Sequence, residues 1–193
     1  SSFDIGAAHP EREIFIVSAA RSGSGTISLD AATTTVDGIA VTKATTEGQF
    51  TSAGPQYTTL SCAFVSVPTG SGAVTVQAGY DRSVPARIAV YRVVNRPGAG
   101  GNQADAGSAS STSTSVAVND TTIAVDQFWL GVCCSIVGGA LTPPSGVTED
   151  VQGAVSINIA SFCSRDIQGT SSTPTDTWSG ASGFRSAASW SFG

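Results

Sequence analysis

Residues 33–43 read TTTVDGIAVTK. Asp37-Gly38 lies between two β-branched runs, Thr33 to Val36 and Ile39 to Lys43. A two-residue type I′ turn needs positive φ at both central positions, which Gly adopts freely and Asp tolerates. The stretch therefore predicts an antiparallel hairpin. Similar signals continue in both directions. Toward the amino end, Glu13 to Ala20 (EIFIVSAA) predicts a mostly buried strand. Toward the carboxyl end, Thr58 to Val67 (TTLSCAFVSV) puts Leu60, Cys62 and Phe64 on one face, since strand side chains alternate. The cluster Pro68-Thr69-Gly70-Ser71-Gly72 ends it.

Ala73 to Tyr80 and Arg87 to Val94 follow, broken at Pro85. Ser115 to Val118 and Thr122 to Val125 flank Asn119-Asp120 as short strands. Phe128 to Val137 (FWLGVCCSIV) is the most hydrophobic segment and is expected at the centre of a sheet. Ala154 to Cys163, Thr173 to Ser179 and Phe184 to Phe192 complete the pattern, with Phe184, Ala188, Trp190 and Phe192 on one face. No helical stripe competes with this period of two. The tally of about ten to twelve short strands predicts an all-β fold, an antiparallel β-sandwich or jelly-roll, with a closed barrel as the competing closure. A single domain over 1–193 is expected. Asn95 to Ser115, rich in Gly and Ser, is read as a flexible loop in preference to an exposed edge strand or a domain boundary.

Composition narrows the function. Only 12% of residues are charged and the net charge is -5, which argues against a nucleic-acid partner, because phosphate binding needs clustered Lys and Arg. No apolar run reaches the roughly 18 residues of a membrane span, so membrane insertion is not expected, and no segment reads as a signal peptide. The chain opens on Ser1-Ser2-Phe3 without an initiating Met. That suits a processed or partly observed product whose start docks elsewhere as an arm.

Catalytic chemistry finds few carriers. His9 is the only histidine, in a loop-like His9-Pro10-Glu11-Arg12 context, and no G-x-S-x-G elbow presents a serine. The serines read as turn and edge-strand residues. Glu149-Asp150 is the adjacent acidic pair of the second half; paired carboxylates could serve glycoside hydrolysis, but a solvated loop pair is the simpler reading. No catalytic, cofactor-binding or metal-binding residue is assigned. Asn119-Asp120-Thr121 fits the glycosylation sequon, and an Asn-Asp turn explains it equally well. Cys62, Cys133, Cys134 and Cys163 lack metal-site spacing. One reading treats them as small buried hydrophobes; the other pairs Cys62 with Cys163 in a disulfide. Cys133 and Cys134, adjacent on a strand, should point to opposite faces. Trp129 and Trp190 read as core. Tyr57 and Trp178 could instead form a stacking platform for a sugar ring, with core or edge packing as the alternative.

Six stretches follow one another along most of the chain: Phe3-Asp4-Ile5-Gly6-Ala7-Ala8 through Arg12 into Ile14-Phe15-Ile16-Val17, Val36-Asp37-Gly38-Ile39-Ala40, Val67-Pro68-Thr69-Gly70, Ala73-Val74-Thr75-Val76, Ile88-Ala89-Val90-Tyr91-Arg92-Val93 and Ala188-Ser189-Trp190-Ser191. In that order they resemble a loose family of small β-rich virion structural proteins of tailed bacteriophages. The resemblance implies a capsid decoration, head-fibre or tail-associated protein, assembled in the host cytoplasm into the virion. Its implied partners are the major capsid protein, other virion proteins and copies of itself, trimers by analogy. It implies no cofactor and no catalytic residues. The four cysteines depart from the family pattern. The competing reading is a receptor- or carbohydrate-binding module of a tail fibre or adhesin, facing a cell-surface glycan.

Overall fold

The structure is a computed structural model that describes residues 1–44, 48–51 (backbone only at 49–51), 57–94, 103–118, 121–136, 139–155, 158–165, 172–173, 175–180 and 183–193. Among the described residues there is no helix, and the strands, numbered along the chain, form four antiparallel sheets. The first large sheet has the order β5 (Thr42–Lys43), β7 (Tyr57–Ser66), β2 (Glu13–Ser22), β9 (Ala86–Val93), with β6 (Gly48–Thr51) also paired to β7. The second large sheet has the order β10 (Gln103–Ser111), β16 (Arg185–Phe192), β12 (Phe128–Ser135), β14 (Asn158–Arg165), β13 (Thr148–Val155). A four-stranded sheet comprises β1 (Ser2–Asp4), β8 (Ala73–Gln77), β3 (Thr35–Val36) and β4 (Ile39–Ala40) in that spatial order. A two-stranded ribbon pairs β11 (Ser115–Val118) with β15 (Asp176–Ser179).

Three apolar clusters stack these sheets as layers, because alternate residues of the inner strands feed different clusters. In β2, Phe15, Val17 and Ala19 face the second large sheet, whereas Ile14 and Ile16 face the four-stranded sheet. In β12, Phe128, Leu130, Val132 and Cys134 face the first large sheet, whereas Trp129 and Cys133 face the ribbon. Both large sheets are therefore covered on both sides. That is why β2, β7 and β12 read as nearly unbroken apolar runs rather than as alternating strands. Buried serine and threonine hydroxyls join the layers: Thr58 Oγ1 lies 3.0 Å from Ser186 Oγ, and Thr121 Oγ1 lies 2.7 Å from Ser189 Oγ.

The Asp37-Gly38 hairpin forms as read, with φ of 51° and 79° and the register Val36↔Ile39. β12 takes the central place in its sheet. Other expectations need correction. Among the described residues, four sheets stand where a single sandwich or jelly-roll is expected, and sixteen strands where ten to twelve are expected. Ala154 to Cys163 is not one strand. It contributes to two antiparallel strands, β13 ending at Val155 and β14 starting at Asn158, and no Gly or Pro in the sequence between them marks the division. Thr122 to Val125 forms only an isolated bridge, Ile123↔Ser172. Within the Asn95 to Ser115 stretch read as a loop, Gln103–Ser111 is an edge strand on β16, its small residues fitting close to Trp190 and Ala188; residues 95–102 lie outside the described residues. The serines also depart from expectation: Ser18, Ser61, Ser161, Ser186, Ser189 and Ser191 are buried in inner strands.

Phe15, 0% exposed, meets Phe64, Phe128 and Phe192 at the centre of the stack. Phe15→Ala is expected to cost about 3–5 kcal/mol, read as a lower midpoint in urea unfolding; a cost below about 1 kcal/mol would show that this contact does not hold the large sheets together.

Candidate functional site

The residues singled out as candidates do not converge. Tyr57 opens β7 in the first large sheet, half-buried and paired with Ser22. Trp178 sits in the ribbon beyond the second large sheet, 0% exposed, its ring stacked on Trp129 at 6.0 Å and 21°. A fully covered indole offers no face to a sugar, so the stacking platform is not formed. Cys62 belongs to the cluster between the large sheets and Cys163 to the cluster under the ribbon. The backbone of the second sheet separates those layers, and all four cysteines are free thiols. Cys133 and Cys134 take opposite faces, as alternation requires. His9 is a turn residue whose Nδ1 accepts a hydrogen bond from the Glu11 N–H at 3.2 Å. Asn119 and Asp120 of the sequon lie outside the described residues.

The Glu149-Asp150 pair is split by a bulge in the pairing of β13 with β14. Glu149 accepts hydrogen bonds from Ser161 Oγ at 2.6 Å and Gln152 Nε2 at 2.7 Å. Asp150 accepts from Tyr91 Oη at 2.9 Å and Ser164 Oγ at 3.1 Å. Ser161 and Cys163 alternate with Phe162 and Ser164 along β14, so the two carboxylates serve opposite faces. They cannot flank one glycosidic bond. Burial and the Asp150 charge push the Tyr91 phenol well above its ordinary value, keeping it a neutral donor.

A buried ion pair lies at the ribbon. Arg165 Nη2 donates to Asp176 Oδ1 at 2.9 Å, and its guanidinium sits 5.5 Å from the centroid of Trp129. Gly131 makes room for that indole: a Cβ there would meet the Trp129 ring at 2.1 Å. Asp176 is 1% exposed, and its Oδ2 finds no hydrogen-bond partner among the described residues. Burial outweighs the attraction of Arg165 and lifts the Asp176 carboxyl from the ordinary 3.8 to about 6. The pair fastens β15 to β14, with the Asp176 carboxyl enclosed and Arg165 12% exposed.

Nucleophiles fare no better. Burial pushes every thiol up, Cys134 to about 12 and Cys163 to about 11, and only a thiolate attacks. Ser161 reaches a carboxylate but is itself fully buried. Among the described residues, surface grooves open at two places. One, of about 510 Å³, runs between β8 and β9 past Gln77 and Arg87; the other, of about 310 Å³, runs between β9 and the second sheet past Tyr91 and Arg165. Neither wall carries a carboxylate, histidine or cysteine. Among the described residues, no three potential metal ligands come together.

The residue that sequence reasoning undervalued is Arg12, 0% exposed. Its guanidinium donates to the backbone carbonyls of Ile5 at 3.1 Å, Ala7 at 2.6 Å, Val67 at 2.7 Å and Gly70 at 3.1 Å, and also to Gly6 and Thr69. Arg185 similarly donates to the carbonyls of Ser113 and Gly183. An arginine beside an apolar strand, with Gly- and Pro-rich segments elsewhere in the chain, was the available signal. Comparison with protein-family models, curated proteins and solved structures finds no significant match to this chain.

Two outcomes are expected. Folding raises the Asp176 pKa, so the folded chain holds this proton more tightly than the unfolded chain, and the group's contribution to stability falls as pH rises from about 4 to 6. The wild-type chain should lose stability relative to Asp176→Asn over that range; parallel melting-temperature curves would clear Asp176 of the effect. A thiol reagent such as Ellman's should label the native chain slowly and release four thiols in denaturant. Rapid native labelling of Cys163 would contradict the burial described.

Proposed function

We propose that this chain is a non-enzymatic structural protein that works through protein–protein contacts, in the manner of the capsid-surface decoration and head-fibre proteins it resembles. The two large sheets serve as a β-sandwich-like core with outer layers fastened to both faces. The observation that carries the reading is the Arg12 node. Segments that bear the resemblance, Phe3 to Ala8 and Val67 to Gly70, are distant in sequence, and the Arg12 guanidinium holds both by their backbone carbonyls. A shared pattern of residues thereby corresponds to one built unit rather than to scattered β motifs.

The character of the interior agrees. Buried carboxylate, hydroxyl and guanidinium groups are spent on fastening layers, and the grooves lack an acid–base pair. Under this reading the partners are the major capsid protein or other virion proteins, together with further copies of the chain. The glycan-binding alternative loses support, because Trp178 is enclosed.

Cryo-electron microscopy of particles from the source of this chain tests the proposal. Copies at regular positions on a head or tail are expected. Particles that lack the chain, with all of it recovered free in solution, would overturn the structural role.

A further inference from the structure

The edges of the sheets are unequal. Most are blunted in ways that prevent strand addition: β4 and β5 have two residues each, and β1 has three. β9 carries Arg87 and Arg92, and β13 carries Glu149 and Asp150 at a bulge. β10 differs. It is nine residues long, reads QADAGSASS, ends the second large sheet, and has one charged residue, Asp105, at the bulge near its start.

Asp105 also reveals which way the strand faces. The Ala106 N–H donates to Asp105 Oδ1 at 2.9 Å, so it points away from β16. Backbone groups alternate along an antiparallel strand; Ser108 and Ser110 therefore also present their N–H and C=O outward, while Gly107 and Ala109 bond to β16. Ser108 and Ser110 are exposed.

We infer that the outer edge of β10 pairs antiparallel with β10 of a second copy, about a two-fold axis at Ser108. This deepens the protein-contact reading by naming one partner and one edge. The two-fold sets Ser108 against Ser108, Ala106 against Ser110, and Gly107 against Ala109. From Ala106 to Ser110 every facing residue is then small and neutral; Asp105 meets Ser111 rather than its own copy, and the Ala106 N–H exchanges its Asp105 acceptor for the carbonyl of the partner's Ser110. In a chain of net charge -5, an uncharged edge is where a second copy approaches without like-charge opposition. The pairing joins the second large sheets of two copies through isologous contacts.

Sedimentation of the full chain should give twice the 19.3 kDa chain mass. Ser108→Pro removes an outward N–H and leaves the bonds to β16 in place, so it should abolish the dimer while the circular dichroism spectrum is kept. Should that variant fail to fold, Ser108→Lys sets like charges against each other and should have the same effect. In a hydrogen-bonded pair the Cα atoms lie about 5.5 Å apart, within disulfide reach; Ser108→Cys should cross-link copies on mild oxidation, and Ala104→Cys should not. A monomer at every concentration, or a dimer that persists in folded Ser108→Pro and Ser108→Lys, would overturn the inference. A monomer that still decorates particles would refute the strand pairing and leave the structural role standing. A β10-paired dimer absent from particles would do the reverse.

Discussion

Phe15, Phe64, Phe128 and Phe192 come from four strands in two sheets and meet with ring centroids 4.8 to 5.7 Å apart. Edge-to-face and stacked contacts of this kind add a directional preference to plain burial. They set which faces of β2, β7, β12 and β16 meet. Once those faces meet, the outer faces still carry Ile14, Ile16 and Val65 on one side and Trp129 and Cys133 on the other. Those side chains need cover of their own. The four-stranded sheet and the ribbon supply it, so the layered arrangement follows from one aromatic junction between strands that are apolar on both faces.

This constraint also accounts for the composition. A strand covered on both faces has no solvent side for Lys or Glu, which are costly to bury unpaired. Serine and threonine meet the same demand cheaply: they are small enough for close sheets, and their hydroxyls pair across layers, as in Thr58 with Ser186 and Thr121 with Ser189. The charge deficit is thus a property of the stack. Of the buried cations, Arg12 places Nε, Nη1 and Nη2 on backbone carbonyls and Arg185 places Nη1 on those of Ser113 and Gly183, and both hold segments that lack regular pairing. A structure fastened in this way keeps its buried polar groups engaged in holding layers together.

The hairpin at Asp37-Gly38, the strand at Phe128 and the all-β class were legible because each depends on local geometry: positive φ, side-chain alternation, a concentrated apolar run. The opposed faces of Cys133 and Cys134 were legible for the same reason. The split of Ala154 to Cys163 into β13 and β14 was not, since alternation looks identical on both sides of a division that no Gly or Pro marks. β10 was obscured because a Gly-, Ser- and Ala-rich segment carries a weak strand signal, and only β16 beside it gives the strand a partner. Trp178 illustrates the limit for the candidate site. Between Thr177 and Ser179 its local pattern leaves both core packing and a stacking platform open, and Trp129 and Cys163, contributed by other strands, lie beneath it and enclose it.

The sequence by itself determined that this chain is built from short antiparallel strands with a charge-poor interior, and that no strong catalytic motif runs along it. Those features reside in neighbouring residues and need no knowledge of what lies opposite. Only the tertiary structure decided how many sheets form, which faces are covered twice, that Cys62 and Cys163 lie on different sides of a sheet, and that Arg12 draws two distant segments together. The physical reason is that burial and hydrogen-bond partnership are properties of pairs of surfaces, and in an antiparallel stack the second surface comes from a part of the chain that local pattern cannot see.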